Sequence, residues 1–128
     1  MNFTDIQSIM SWAGYEQLTT KPDFTGNSWS NGKQGGVITE EDLSEWNAVK
    51  KLESKMIEEN VQGPIKNPEV KILTHVVSNN HVLKIYELYY ELYHKGTKIF
   101  ITSGSGLTEI EAVLNSILTY VNSKKEKL

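Results

Sequence analysis

The stretch Ser103-Gly104-Ser105-Gly106 stands between a run of branched residues and an amphipathic pattern that opens at Thr108, a place where a turn can aim backbone N–H groups at an anion. It is shorter than a nucleotide-binding P-loop and lacks that loop's lysine, so its simplest reading is a strand-to-helix turn. With nearby Lys98 it offers a seat for a small anionic ligand such as a nucleotide. The histidines, His75, His81 and His94, lack the His-Glu-x-x-His spacing that places two ligands on one helix face, and the chain has no cysteine. No metal and no cofactor are expected. There is no Gly-x-Ser-x-Gly elbow, and Glu87 and Glu91 read as a solvated strand face rather than an acid/base dyad. The expectation is a protein that is not an enzyme.

What remains is a recognition composition. Glu87, Tyr89, Glu91, Tyr93, Lys98 and Phe100 mix aromatic rings with charges, and tyrosine supplies contact area at small entropic cost. Phe24 and Trp29 add two aromatics inside a polar, glycine-rich segment, where they serve either as core residues folded back or as anchors for a partner.

These side chains need a scaffold, and Val82 to Gly106 provides one. With Lys95-Gly96 as a two-residue turn, His94 faces Thr97, Leu92 faces Ile99 and Tyr90 faces Ile101. The opposite face then pairs Tyr93 with Lys98, Glu91 with Phe100 and Tyr89 with Thr102. Ile85, Leu88, Tyr89 and Leu92 also fit a helical stripe, so the strand reading rests on the tyrosine content and on this register. Val70 to Val77 reads as a preceding strand, returned by Ser78, Asn79 and Asn80.

Helices flank the strands. Thr4 to Ala13 carries Ile6, Ile9, Met10 and Ala13 on one face, with Thr4 and Gln7 as a capping box and Gly14 as a stop. Residues 21–36 read as a flexible glycine-rich loop. Thr39 caps a helix running to about Asn60, with Asp42 at its third position and Ile38 stapled to Leu43. Its apolar stripe is Leu43, Trp46, Val49, Leu52 and Met56, while Glu45, Lys50, Lys51, Glu53, Lys55, Glu58 and Glu59 stay mostly outside. Thr108 and Glu111 cap a final helix through about Asn122, and 123–128 read as a frayed tail. The expected class is α+β, a single domain of order α-α-β-β-β-α, in which a three-stranded antiparallel sheet has helices packed on one face.

At 128 residues the chain can bury roughly two-thirds of its unfolded surface without staples. All 13 basic residues are lysine, against 16 acidic residues. Without arginine the fork that grips guanine edges and phosphates is absent, so nucleic acid is an unfavoured partner. No apolar run approaches the ~20 residues of a membrane span, and a cytoplasmic location without membrane contact is expected.

From Thr39 to Asn122 the order helix, three antiparallel strands, helix resembles the double-stranded-RNA-binding fold, with ITSGSGLTEIEAV where that family enters its last helix. The family carries a lysine cluster there; this chain has Leu107, Thr108, Glu109, Ile110 and Glu111, whose glutamates repel phosphate. Small size, acidity and absence of arginine are also similar to small accessory proteins of phages and mobile elements in low-GC Gram-positive bacteria. That resemblance implies an inhibitor or regulator of a host protein, defence proteins included. A self-pairing sheet edge that makes a homodimer is a separate expectation. The alternatives are a small-ligand sponge centred on Ser103 to Gly106, and a nucleic-acid binder using Lys50, Lys51, Lys55, Lys124, Lys125 and Lys127.

Overall fold

A computed structural model describes residues 1–18, 27–34, 36–61, 69–79, 83–94 and 97–126. The protein is α+β; among the described residues there are three α-helices, one 3-10 turn and two antiparallel sheets. The larger sheet has strands β4 (Glu69–Asn79), β5 (Leu83–His94) and β6 (Thr97–Gly106) in that order, so β5 is central. Residues 83–94 are therefore strand, as the tyrosine content predicts. A smaller sheet, absent from the sequence reading, joins β1 (Glu16–Gln17), β2 (Ser28–Ser30) and β3 (Val37–Thr39).

Helix α1 spans Phe3–Trp12, and its cap is Asn2 rather than Thr4: the Asn2 side chain accepts from the Asp5 backbone N–H at 2.8 Å. Asparagine is among the best N-caps, and placing it two residues earlier adds Phe3 to the first turn. Gly14, at φ +88°, ends the helix as expected, the left-handed conformation that costs glycine least. The Thr39 cap is also present, with Thr39 N–H donating to Asp42 Oδ2 and Asp42 N–H donating to Thr39 Oγ1. It opens only a short 3-10 turn, Glu41–Ser44, because the Ser44 hydroxyl takes up the Glu41 carbonyl and the chain turns extended at Glu45. Helix α2, Trp46–Val61, starts after that break.

Helix α3, Glu109–Glu126, begins at the expected Thr108 cap, whose hydroxyl accepts from Glu111 N–H at 3.0 Å. It runs on through part of the segment expected to fray. Lys124 and Lys125 close its last turn, where positive charge suits the helix dipole, and both are anchored: Lys124 Nζ lies 2.8 Å from Glu59 and Lys125 Nζ donates to Ser8.

The core gathers Ile9 and Met10 of α1, Trp29 and Ile38 of the small sheet, Val49, Leu52 and Met56 of α2, Leu88 and Tyr90 of β5, and Val113, Ile117 and Val121 of α3. Glu59 ties the three helices together, accepting from Trp12 Nε1 at 2.9 Å, Tyr120 OH at 3.2 Å and Lys124 Nζ. Burial alone would raise its pKa, but the Lys124 bond and charge, with the Trp12 and Tyr120 donors, hold it below the ordinary glutamate value.

The α3–β6 contact is closer than ordinary side chains permit. A Cβ on Gly104 would lie 2.4 Å from Ser116 N, and one on Gly106 2.7 Å from Ala112 N. Thr102 Oγ1 donates to the Ser116 carbonyl at 2.8 Å, and Asn115 Nδ2 donates to the Ser105 carbonyl at 2.7 Å.

The register of β5 and β6 follows expectation from His94↔Thr97 to Glu91↔Phe100 and then departs from it. A bulge between Tyr90 and Glu91 pairs Tyr90 with Thr102 and Tyr89 with Ser103, not with Ile101 and Thr102. One extra residue exchanges the two faces of the rest of the strand. Thr102, Gly104 and Gly106 thereby meet α3, whereas the unbulged register would set Ser103 and Ser105 against it. The Ser103 to Gly106 turn is thus corrected: these residues are strand, paired with Tyr89 to Tyr86.

Candidate functional site

Strand alternation places Glu87, Tyr89, Glu91 and Tyr93 on the face of β5 opposite the core residues Leu88, Tyr90 and Leu92. Cross-strand pairing brings Lys98 opposite Tyr93 and Phe100 opposite Glu91, so six of the residues singled out in the sequence share one surface. Phe100 stands 57 % exposed. Tyr89 OH donates to Glu87 at 3.4 Å, Tyr93 OH donates to Glu91, and Lys98 Nζ lies 3.1 Å from Glu91.

Glu91 departs from expectation, since it is only 4 % exposed beneath its neighbours. A carboxylate so placed cannot meet a partner directly; it holds Tyr93 and Lys98 in position. Its charge is compensated inside the protein, as a buried charge requires.

Trp29 is corrected from partner anchor to core. It is fully buried, its Nε1 donates to Gln7 Oε1 at 2.8 Å, and Phe3 stacks against it at 6.3 Å between ring centroids. With Phe3 and Gln7 of α1 against it and no exposed surface, the indole is not available to a partner in this fold. Phe24 lies outside the described residues, as do His81, Lys127, the Lys95-Gly96 turn and part of the 21–36 segment.

Ser103, Gly104 and Ser105 line a shallow depression of about 200 Å³ together with Glu87, Leu88 and Tyr89. Because this stretch is strand, its amides do not converge as those of a helix-initiating turn do. The charged group at the rim is the Glu87 carboxylate, and Lys98 is engaged with Glu91. Both features disfavour an anionic ligand. Among the described residues no group of three or more His, Cys, Asp or Glu is placed to hold a metal ion, and no helix is long and apolar enough to cross a membrane.

Sequence reasoning missed Glu53. Expected on the solvent side of α2, it is 6 % exposed and accepts from Tyr90 OH at 2.6 Å. Burial, then the bond to Glu53 and its charge, push the Tyr90 phenol far above the ordinary tyrosine value, so it remains a donor. A signal was available: Glu53 adjoins Leu52 and follows Val49 by four, at the edge of the apolar stripe.

No protein family, curated protein or solved structure matches this chain. The functional reading therefore rests on its own geometry.

Proposed function

We propose that this chain is a non-enzymatic module that binds a partner protein through the outer face of β5 and β6 and thereby inhibits or regulates it. Phe100 carries the reading. A large apolar side chain 57 % exposed on the outer face of β6, opposite Glu91 and with Tyr89 and Tyr93 on its diagonals, has the composition of an interface hot spot. The hydrogen bonds from Tyr89 and Tyr93 to carboxylates hold those rings before binding, so little side-chain freedom is lost on association. In this reading the helices cover one side of the larger sheet and the other side receives the partner.

The compositional similarity to phage and mobile-element accessory proteins indicates where to seek that partner. Tagged protein would be used to capture binders from a lysate of low-GC Gram-positive cells, beside Phe100→Ala and, as control, Lys51→Ala on the exposed side of α2. One dominant protein held by wild type and Lys51→Ala but lost with Phe100→Ala supports the proposal. Equal recovery with Phe100→Ala refutes it.

A further inference from the structure

On the core side of β5, away from the outer face, a cavity of about 90 Å³ opens between α2, β5 and the start of α3. Trp46, Lys50, Glu53, Tyr90, Glu109 and Val113 line it. At about 30 Å³ per water, the volume suits a few solvent molecules or one small polar head group. Glu53, 6 % exposed, supplies a carboxylate. Tyr90 OH donates to its Oε2 at 2.6 Å, and Lys50 Nζ lies 3.3 Å from its Oε1. The same ammonium stands 5.2 Å from the centroid of the Trp46 ring, within cation–π range.

These contacts form a cation site with a tethered occupant. A carboxylate has roughly four acceptor positions, and Tyr90 and Lys50 supply two donors. The Lys50 side chain is 60 % exposed, so its head can move into water at little cost. Once it has moved, the cavity presents two carboxylates, Glu53 and Glu109, and one indole, a set that selects positive charge and rejects anions.

We infer that this cavity binds a cationic head group, alkylammonium or guanidinium, which takes the place of the Lys50 ammonium against Glu53 and Trp46. The inference is independent of the outer face and stands or falls separately from it. A site filled by its own lysine nine-tenths of the time binds an external cation about tenfold more weakly than the vacated site. At that occupancy Lys50→Ala tightens binding about tenfold, whereas a lysine with a purely structural role leaves it unchanged.

The test follows the Trp46 indole N–H resonance, identified by its loss in Trp46→Phe. Ethylammonium and N-methylguanidinium chlorides are titrated at constant ionic strength, beside the peptide acetyl-Gly-Lys-Gly-amide. A saturable shift, tightened about tenfold in Lys50→Ala and abolished in Glu53→Gln, supports the site. If Glu53→Gln does not fold, Glu109→Gln at the exposed rim replaces it and weakens binding several-fold. Peptide bound at least as well as free amine identifies a lysine or arginine side chain of a polypeptide as the ligand; free amine alone identifies a small-molecule amine. No saturable shift in Lys50→Ala up to about 100 mM amine, or equal affinity in wild type and Lys50→Ala, overturns the inference.

Discussion

Gly104→Ala tests how closely α3 lies on β6. The added methyl would sit 2.4 Å from Ser116 N, 2.6 Å from its Oγ and 2.8 Å from its Cα. Two of these are backbone atoms of α3, so rotating the Ser116 side chain does not relieve the overlap. Ordinary contact begins near 3.4 Å, and 3.4 less 2.4 leaves about 1 Å by which helix and strand must separate locally. That displacement lengthens the 2.8 Å Thr102–Ser116 hydrogen bond beyond bonding range, at about 1 kcal/mol. It also opens a radial gap that removes a quarter to a half of the dispersion attraction along Ala112, Val113 and Ile117. With the usual cost of overpacking, the loss comes to about 3 kcal/mol, near two decades in the folding equilibrium. Urea denaturation followed by far-UV circular dichroism measures it, with Gly36→Ala as control: the nearest atoms to a Cβ there belong to the end of the Asn31 side chain, whose rotation gives up one exposed hydrogen bond from Lys33 N–H and moves no backbone. A Gly104→Ala midpoint within about 0.5 kcal/mol of wild type would falsify the close-packing account.

Further outcomes follow from the buried polar contacts. Tyr90→Phe removes the donor 2.6 Å from Glu53 and leaves a buried carboxylate under-bonded, at a cost of about 2 kcal/mol by chemical denaturation; an unchanged midpoint would show that Glu53 does not depend on that hydroxyl. Glu59→Gln loosens the junction of the three helices by about 1–2 kcal/mol. Because the folded-state pKa of Glu59 is lowered, its charged form contributes stability above the ordinary value near 4.5 that is lost as pH falls below it. Lys124 is shifted upward, chiefly by its bond to Glu59, so its contribution is full below about 10.5 and lost above that pH. Stability of Glu59→Gln is thus flatter than wild type at both acid and alkaline ends, and parallel pH profiles would contradict the assignment.

Features set by local rules were legible. The reciprocal Thr39–Asp42 cap, the Thr108 cap, the Gly14 stop and the strand character of 83–94 depend on residues within a few positions of one another, and the residue types encode them. The shared face of Tyr89, Tyr93, Lys98 and Phe100 was legible for the same reason, since a two-residue period and a short hairpin determine it near the turn. Reading failed where distant segments compete. Three short strands of two or three residues carry too little pattern to announce a sheet, and Trp29 is buried with Phe3 and Gln7 of the distant helix α1 against it. Glu53 looked exposed because its partner Tyr90 is 37 residues away.

The sequence by itself determined the main helices, the three long strands and the residues of an aromatic, charged face, because helix caps and strand alternation are short-range physics. Tertiary structure alone decided the bulge opposite Tyr90 and the burial of Glu91, Glu53 and Trp29. The reason lies in packing. Helix α3 must approach β6 at a distance that only Gly104 and Gly106 permit, so the strand inserts a residue to turn those glycines toward it. That insertion, invisible to any local rule, puts Ser103 and Ser105 on the outer face.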